Sequence, residues 1–588
     1  MTNRASDSVA GISSPRRWAT ALGLAAAVLL LLIPRWISIF TESINWDELT
    51  MLARAERTLR VGEIVGEGRP GLVTVVLTVF VRQCTDVITT AVNARILWQL
   101  ITLFYLCGIF FLVRNWFRFA RRPESGALEG TAAVALLAFL PSFVAWSVQV
   151  RSDQAALAAA VWGGVCLISE HRRHALLAGF LFGLALLFTQ KGIYPLALSG
   201  LLWAMGILAR LQAPFPTPLK SEIATRAAQA LIVGLCIGAT LTIYAYLVPY
   251  TATLVDHGNV ASSWEEMRLV RARIGYRAYS AESSRALLHI LLFTGLMLAS
   301  VRMIRRRTFA DSHLLGTCWM VLLLGSVVVM FHGASYPYFL MTAGLFPAVA
   351  LGLATGHLAG FLQKTRSAVI ALAFLSLVLG SMPITLEMLQ GAQSNQRETI
   401  RWIKSSGLNK YRGYQVDGAL ICMSDPDPIP ALAHKINMRA LNSPSGFDYL
   451  IDEFRRRPIA FILDMDGLKL FPENVREFWA DHYLWYHGSV SVAGFEIQPD
   501  SKASRVDVVV PGKYRWIPAS RRQEATLQVG EVVIPPGGRA ELKTGIHVAM
   551  TRPVGVGGNL VLALQPTEDG QIYSFIDSRQ LERLYGSR

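Results

Sequence analysis

The sequence predicts a polytopic α-helical membrane protein with a folded α/β plus β-sandwich domain after its last span. Three observations predict it. Of 588 residues, 52% are hydrophobic and 16% charged, and the mean hydropathy is +0.38. The apolar residues gather in repeated runs of about 20, the length that crosses a hydrocarbon core. From about Ser394 onward the composition turns mixed, with short apolar stretches broken by Pro-Gly and Gly-Gly pairs.

Taken in order, residues 1–17 form a polar tail carrying Arg4, Arg16 and Arg17. The run from about Trp18 to Phe40 is too long for a cleaved signal core, so it reads as a retained anchor with a cytoplasmic N-terminus. Further spans are expected near Asn93–Val113, Ala127–Ser147, Ser152–Ser169, His174–Thr189 and Gly192–Leu208. Others are expected near Arg226–Pro249, Ala286–Val301, His313–Phe331, Tyr336–His357 and Ser367–Leu389. The count is about eleven.

The apolar stretch Pro70–Val87 decides the polarity of all that follows. If it does not cross, the basic clusters at Arg114/Arg118/Arg121/Arg122, Arg172/Arg173, Arg210/Lys220/Arg226, Arg302/Arg305/Arg306/Arg307 and Lys364/Arg366 all face the cytoplasm. That arrangement obeys the positive-inside rule, so 70–87 is read as a helix along the outer face. The same clusters account for the net charge of +15, and no nucleic-acid partner is implied. The domains expected are the tail 1–17, a membrane domain 18–393 with a first exoplasmic loop 41–92, an exoplasmic α/β part 394–489 and a β-rich part 490–588. In the α/β part, helices are expected at Arg397–Ser405 and Phe447–Arg456, with strands at Ala419–Met423 and Ile459–Leu463. In the β-rich part, strands are expected at Arg505–Val510, Thr526–Val529, Ile546–Met550 and Leu560–Leu564. The six cysteines are scattered and form no metal-ligand spacing.

Polar groups at membrane depth are costly and point to a site. Asp47 and Glu48 follow the first span; acids in the first turn of a new helix explain them equally well. Arg69 precedes a rigid Pro-Gly turn. Arg151-Ser152-Asp153 forms a corner between two spans, where the arginine also serves to neutralise the acid. Thr189-Gln190-Lys191-Gly192 is an outer corner whose lysine breaks the positive-inside trend. His332, Tyr336 and Tyr338 open a late span, where an aromatic belt also explains the tyrosines.

In order and on one face, these residues resemble the GT-C superfamily of integral-membrane glycosyltransferases. The branch is that of the protein O-mannosyltransferases and the lipid A aminoarabinose transferases. The resemblance covers roughly residues 18–390. It rests on Asp47-Glu48, Arg69-Pro70-Gly71-Leu72, the Arg151/Asp153 corner, the Lys191-Gly192 corner and Tyr336/Tyr338. In that branch the turn is commonly Lys-Pro-Pro-Leu; arginine for lysine and glycine for the second proline are departures that bear on the phosphate geometry.

The resemblance implies a polyprenyl-phosphate-linked sugar as donor and a lipid, glycan or protein hydroxyl as acceptor. It places the enzyme in a bacterial cytoplasmic membrane with the C-terminal domain outside, in contact with membrane lipids. Asp47 would act as general base, with Glu48 and Asp153 as supporting acids. Arg69, Lys191 and Arg151 would hold the donor phosphate, and His332, Tyr336 and Tyr338 would touch substrate. No cofactor is required by these residues, and a divalent cation held by the acids is left open. Two other readings stay in view: a transporter or flippase of a lipid-linked sugar, and a non-catalytic assembly protein. The dinucleotide-like string Gly66-Glu67-Gly68-Arg69-Pro70-Gly71 lacks a preceding strand and is set aside.

Overall fold

The computed structural model describes residues 32–62, 64–66, 71–83, 86–120, 126–169, 171–211, 219–247, 250–252, 294–301, 312–331, 339–361, 393–411, 413–415, 448–463, 473–487, 490–497, 504–517, 526–552 and 560–564, with short pieces between 382 and 389. The expected spans at 18–31, most of 286–301 and 367–389, and the expected strand Ala419–Met423, lie outside these residues. The chain divides into two compact units. The first comprises Met1–Glu42, Thr58–Arg82 and Ala91–Gly391; the second comprises Ser43–Arg57, Gln83–Thr90 and Ala392–Arg588.

In the first unit a helix over 32–41 (α1) is followed by α2, Trp46–Val61, which begins in the second unit. A short strand β1, Ile64–Gly66, pairs in parallel with β2, Tyr250–Ala252, so the string that starts at Gly66 does follow a strand, contrary to the expectation from sequence. Helix α3, Leu72–Val81, has 10 residues. At 1.5 Å per residue it reaches about 15 Å, half a hydrocarbon core, so it cannot span alone. Asp86 starts the next helix, α4, Val87–Phe119. Its Oδ2 accepts from the backbone N–H of Thr89 at 2.9 Å and from the Thr89 hydroxyl at 2.8 Å, satisfying a donor that the helix cannot.

The expected span Ala127–Ser147 is instead two helices, α5, Ala127–Ala138, and α6, Pro141–Trp146. Pro141 supplies no N–H and clashes with the turn before it, which holds Leu140 extended. The freed end of α5 is answered by Arg35 of α1, whose Nη2 donates to the Ala138 carbonyl while the guanidinium lies 5.0 Å from the Phe143 ring centroid. The late span from Tyr336 is also interrupted. Within its described part, Phe339–Ala343 and Leu345–Phe361 are separate helices with Gly344 between. A Cβ on Gly344 would stand 2.4 Å from a Leu140 methyl, so the two breaks meet.

Helices α7, Ser152–Ile168, α8, Arg172–Phe188, and α9, Ile193–Leu211, follow as expected within a few residues, then α10, Leu219–Leu247. Packing of α8 on α10 depends on Gly179 and Gly183, where an added Cβ would meet the Val233 carbonyl oxygen at 2.6 Å and the Thr240 Cβ at 2.7 Å. Glycines four apart let helix backbones approach where water provides no driving force. A helix over 294–301 (α11) and α12, Ser312–Phe331, complete the described membrane helices with the broken pair. Among the described residues, four helices are long and apolar enough to cross a membrane: Val87–Phe119, Gln190–Leu211, Ser221–Leu247 and His313–Met330. With the composition, they make this a multi-pass membrane protein.

The second unit builds one core between two sheets. A seven-stranded sheet runs in the order β11-β8-β13-β6-β4-β3, with β5 also on β6. Its strands are β3 Gly413–Gln415, β4 Phe461–Leu463, β5 Tyr483–His487, β6 Val490–Ile497, β8 Gly512–Ile517, β11 Arg539–Leu542 and β13 Leu560–Leu564. It crosses residue 490, so segments on both sides of that position share a sheet. The four-stranded sheet, β10-β9-β12-β7, uses Val532–Ile534, Thr526–Val529, Gly545–Arg552 and Ser504–Val508. Along β8, Tyr514 and Trp516 point inward while Lys513 is exposed and Arg515 half-buried, the alternation of a one-face-buried strand. Val506 and Val508 of β7 and Leu527 and Val529 of β9 join them in the core. Helices Gln393–Ser405, Asp448–Arg456 and Glu473–His482 flank the sheets.

Candidate active site

The first unit is largely apolar inside, and its densest set of buried polar groups lies where α6 turns into α7. Ser147 to Arg151 are buried there, and the backbone carbonyls left over by the turn are answered by side chains from other helices. Gln99 of α4 donates to the Ser147 carbonyl at 2.7 Å, and Gln154 of α7 donates to the same oxygen at 2.8 Å. The Trp98 indole N–H donates to the Arg151 carbonyl at 2.6 Å. Arg95, fully buried on α4, donates to the carbonyl of Glu42 at 2.8 Å, just beyond the end of α1.

Two predicted residues meet at this corner. Lys191 Nζ lies 3.2 Å from Asp153 Oδ2; the Asp153 side chain is 4% exposed and that of Lys191 21%. Asp153 stands in the first turn of α7, where the helix dipole favours a carboxylate. Its Oδ1 is buried with no hydrogen-bond partner among the described residues. Lys191 is carried by a 3-10 turn, Gln190–Gly192, whose start is capped by the Thr189 hydroxyl. Gly192 is needed there because a Cβ would stand 2.7 Å from the Ala185 carbonyl oxygen. Arg151, 3% exposed, precedes α7 in extended conformation, with its guanidinium 5.5 Å from the Trp146 ring centroid.

Glu48 belongs to the second unit. Fully buried, it accepts the backbone N–H of Asn45 at 3.0 Å, the N3 half of a capping box at the start of α2. Asp47 lies in the same first turn; its side chain is outside the described residues. Arg69, His332, Tyr336 and Tyr338 are also outside them. Hydrogen bonds between Ile44 and the Gln396 side chain, at 2.7 and 3.1 Å, fasten the start of α2 to helix Gln393–Ser405. Among the described residues no three His, Cys, Asp or Glu side chains gather as a metal-ligand group.

Sequence reasoning passed over Glu42, Arg95, Gln99, Gln149 and Gln154. A signal was present for two of them: Arg95 and Gln99 lie four apart in a largely apolar helix, hence on one face, beside Trp98.

No family model matches the chain, and no curated protein matches it. Solved structures do. A structure of ArnT from Cupriavidus metallidurans bound to undecaprenyl phosphate aligns over 81% of this chain and 98% of its own, at 12% identity and a TM-score of 0.47. Arabinofuranosyltransferase AftD from Mycobacteria aligns over 96% of this chain and 61% of its own, at 11% identity and 0.38. Arabinosyltransferase EmbB from Mycobacterium smegmatis aligns over 95% and 65%, at 12% identity and 0.37.

Proposed function

We propose that the protein is an inverting glycosyltransferase. It moves a sugar from a polyprenyl-phosphate donor to a hydroxyl acceptor at the outer face of a bacterial cytoplasmic membrane, with its N-terminus inside and its C-terminal domain outside. One observation carries this reading. An apolar helical unit buries a carboxylate and a guanidinium at one corner and sets a half-buried ammonium on the carboxylate, a costly arrangement that a phosphate-bearing lipid substrate would use.

In this reading Lys191, Arg151 and Arg69 hold the donor phosphate and stabilise the charge that develops as it leaves. Asp153 orients the Lys191 ammonium, whose three N–H donors serve more than one anion. The open Oδ1 of Asp153 is suited to accept a sugar hydroxyl. Asp47 removes the acceptor proton as its oxygen attacks the anomeric carbon: the C–O bond to phosphate breaks, the new glycosidic bond forms on the opposite face, and the phosphate departs with the electron pair. Glu48 supports Asp47 by fixing the start of α2.

The broken helices meeting at Leu140 and Gly344 favour a second reading, transport of a lipid-linked sugar, because discontinuous helices are a recurrent transporter feature. Purified protein in lipid nanodiscs and in proteoliposomes, given labelled polyprenyl-phosphate sugars and a panel of hydroxyl acceptors, separates the two. Transfer that falls by about 10²–10⁴-fold in Asp47→Asn is expected. An Asp47→Asn protein with near-normal turnover removes Asp47 from the chemistry, and lipid movement without product favours the transporter.

A further inference from the structure

Gln149 has no role in the reading above, yet it is 4% exposed and bonded at both ends. Its Nε2 donates to Glu42 Oε1 at 3.1 Å, and its Oε1 accepts from Arg151 Nη1 at 3.3 Å. The two partners fix which way the amide faces, since only its nitrogen can serve the carboxylate and only its oxygen the guanidinium. Glu42 is itself held: Arg95 donates to its carbonyl at 2.8 Å and to that of Ile39 at 3.5 Å. A continuous chain therefore runs Arg95, Glu42, Gln149, Arg151, through residues that are largely buried.

The neutral amide serves a charged neighbour at each end, its nitrogen facing the carboxylate and its oxygen the guanidinium. We infer that Gln149 is a positioning residue, which with Glu42 and Arg95 sets the Arg151 guanidinium for a lipid-linked phosphate. The inference rests on Arg151 having the phosphate role proposed above.

The test measures the affinity of undecaprenyl phosphate for the full-length protein in phosphatidylcholine nanodiscs, with thermal unfolding in parallel. Gln149→Met, similar in size but without the amide, should weaken binding about tenfold, the loss of one hydrogen bond to a charged group. Gln149→Glu, which places a carboxylate beside both Glu42 and Arg151, should weaken it at least as much. Arg151→Met should also weaken it, and the Gln149→Met/Arg151→Met double variant should be no worse than Arg151→Met alone, because Gln149 acts through Arg151. A purely structural glutamine would instead lower the unfolding temperature while affinity stays level, or its effect would add to that of Arg151→Met; either result overturns the inference. If Arg151→Met weakens binding and neither Gln149 variant does, the inference falls and the donor reading stands. If wild-type protein does not retain undecaprenyl phosphate, both fall.

Discussion

The two units treat their interiors in opposite ways. The C-terminal unit buries Phe454, Trp479, Tyr514 and Trp516 in an apolar, aromatic core, and its buried tyrosines are each answered locally. The Tyr483 hydroxyl donates to the Ile459 carbonyl at 2.8 Å and that of Tyr514 to the Val510 carbonyl at 2.7 Å. The helical unit is apolar over most of its interior but concentrates Arg95, Gln99, Gln149, Arg151, Asp153 and Gln154 where α6 meets α7. Satisfied single hydroxyls stabilise a core, whereas a linked set of charged and amide groups stabilises little for its cost and calls for another explanation. Substitutions in the first interior should therefore register as lost stability, and substitutions at the corner as lost activity.

The largest expected effect is on the aromatic side. Phe454 is fully buried, stacked on Phe478 at 6.1 Å and edge-on to Trp479 at 5.6 Å. Phe454→Ala should cost about 3–5 kcal/mol of unfolding free energy by denaturant titration of the full-length protein, while its folded fraction keeps turning over. A loss of turnover in folded protein would break the contrast. At the corner, the phosphate role proposed for Lys191 predicts that Lys191→Met lowers transfer by about 10²–10³-fold, the typical cost of removing one donor aimed at developing charge. Its stability penalty should be nearer 2 kcal/mol, because the ammonium is partly solvated and the pair is less than fully buried. A stability loss with unchanged kcat and KM would make the pair structural. Gly183→Val tests the membrane seam itself: the new Cβ meets Thr240 at 2.7 Å, and a cost of about 1–3 kcal/mol is expected by thermal unfolding in detergent.

The smallest effect concerns pH. Burial pushes the Tyr483 phenol well above the usual tyrosine range, and burial together with Tyr483 and Tyr411 does the same for Tyr514. A group whose folded pKa is raised contributes stability that is whole below its unfolded pKa and is lost as pH climbs toward the folded value. Unfolding followed by tryptophan fluorescence should thus be flat to about pH 10 and decline above it. A combined Tyr483→Phe/Tyr514→Phe variant should lose that alkaline slope.

What sequence alone determined is everything that depends on local composition and period. Apolar runs of spanning length placed α4, α7, α8, α9, α10 and α12, since hydrocarbon demands that backbone groups be satisfied within each helix. The Leu560–Leu564 strand was legible as a short apolar run bounded by turn residues, and the helix ending at Ser405 from its amphipathic pattern. The Asp153 and Lys191 corners were legible because charge at membrane depth is rare. Pro141 was visible too, but an apolar run long enough to span concealed that it breaks the helix there. What only tertiary structure decided is which of these groups meet. Lys191 and Asp153 are 38 positions apart and share one ion pair; Gln149 and Glu42 are 107 apart and share one hydrogen bond. Glu42 and Gln149 look like ordinary boundary residues in the linear chain, and Arg95 shows only as an isolated charge within α4. Their meaning comes from pairing across helices, and pairing depends on helix rotation and crossing, set by the glycine contacts and helix breaks of the folded protein.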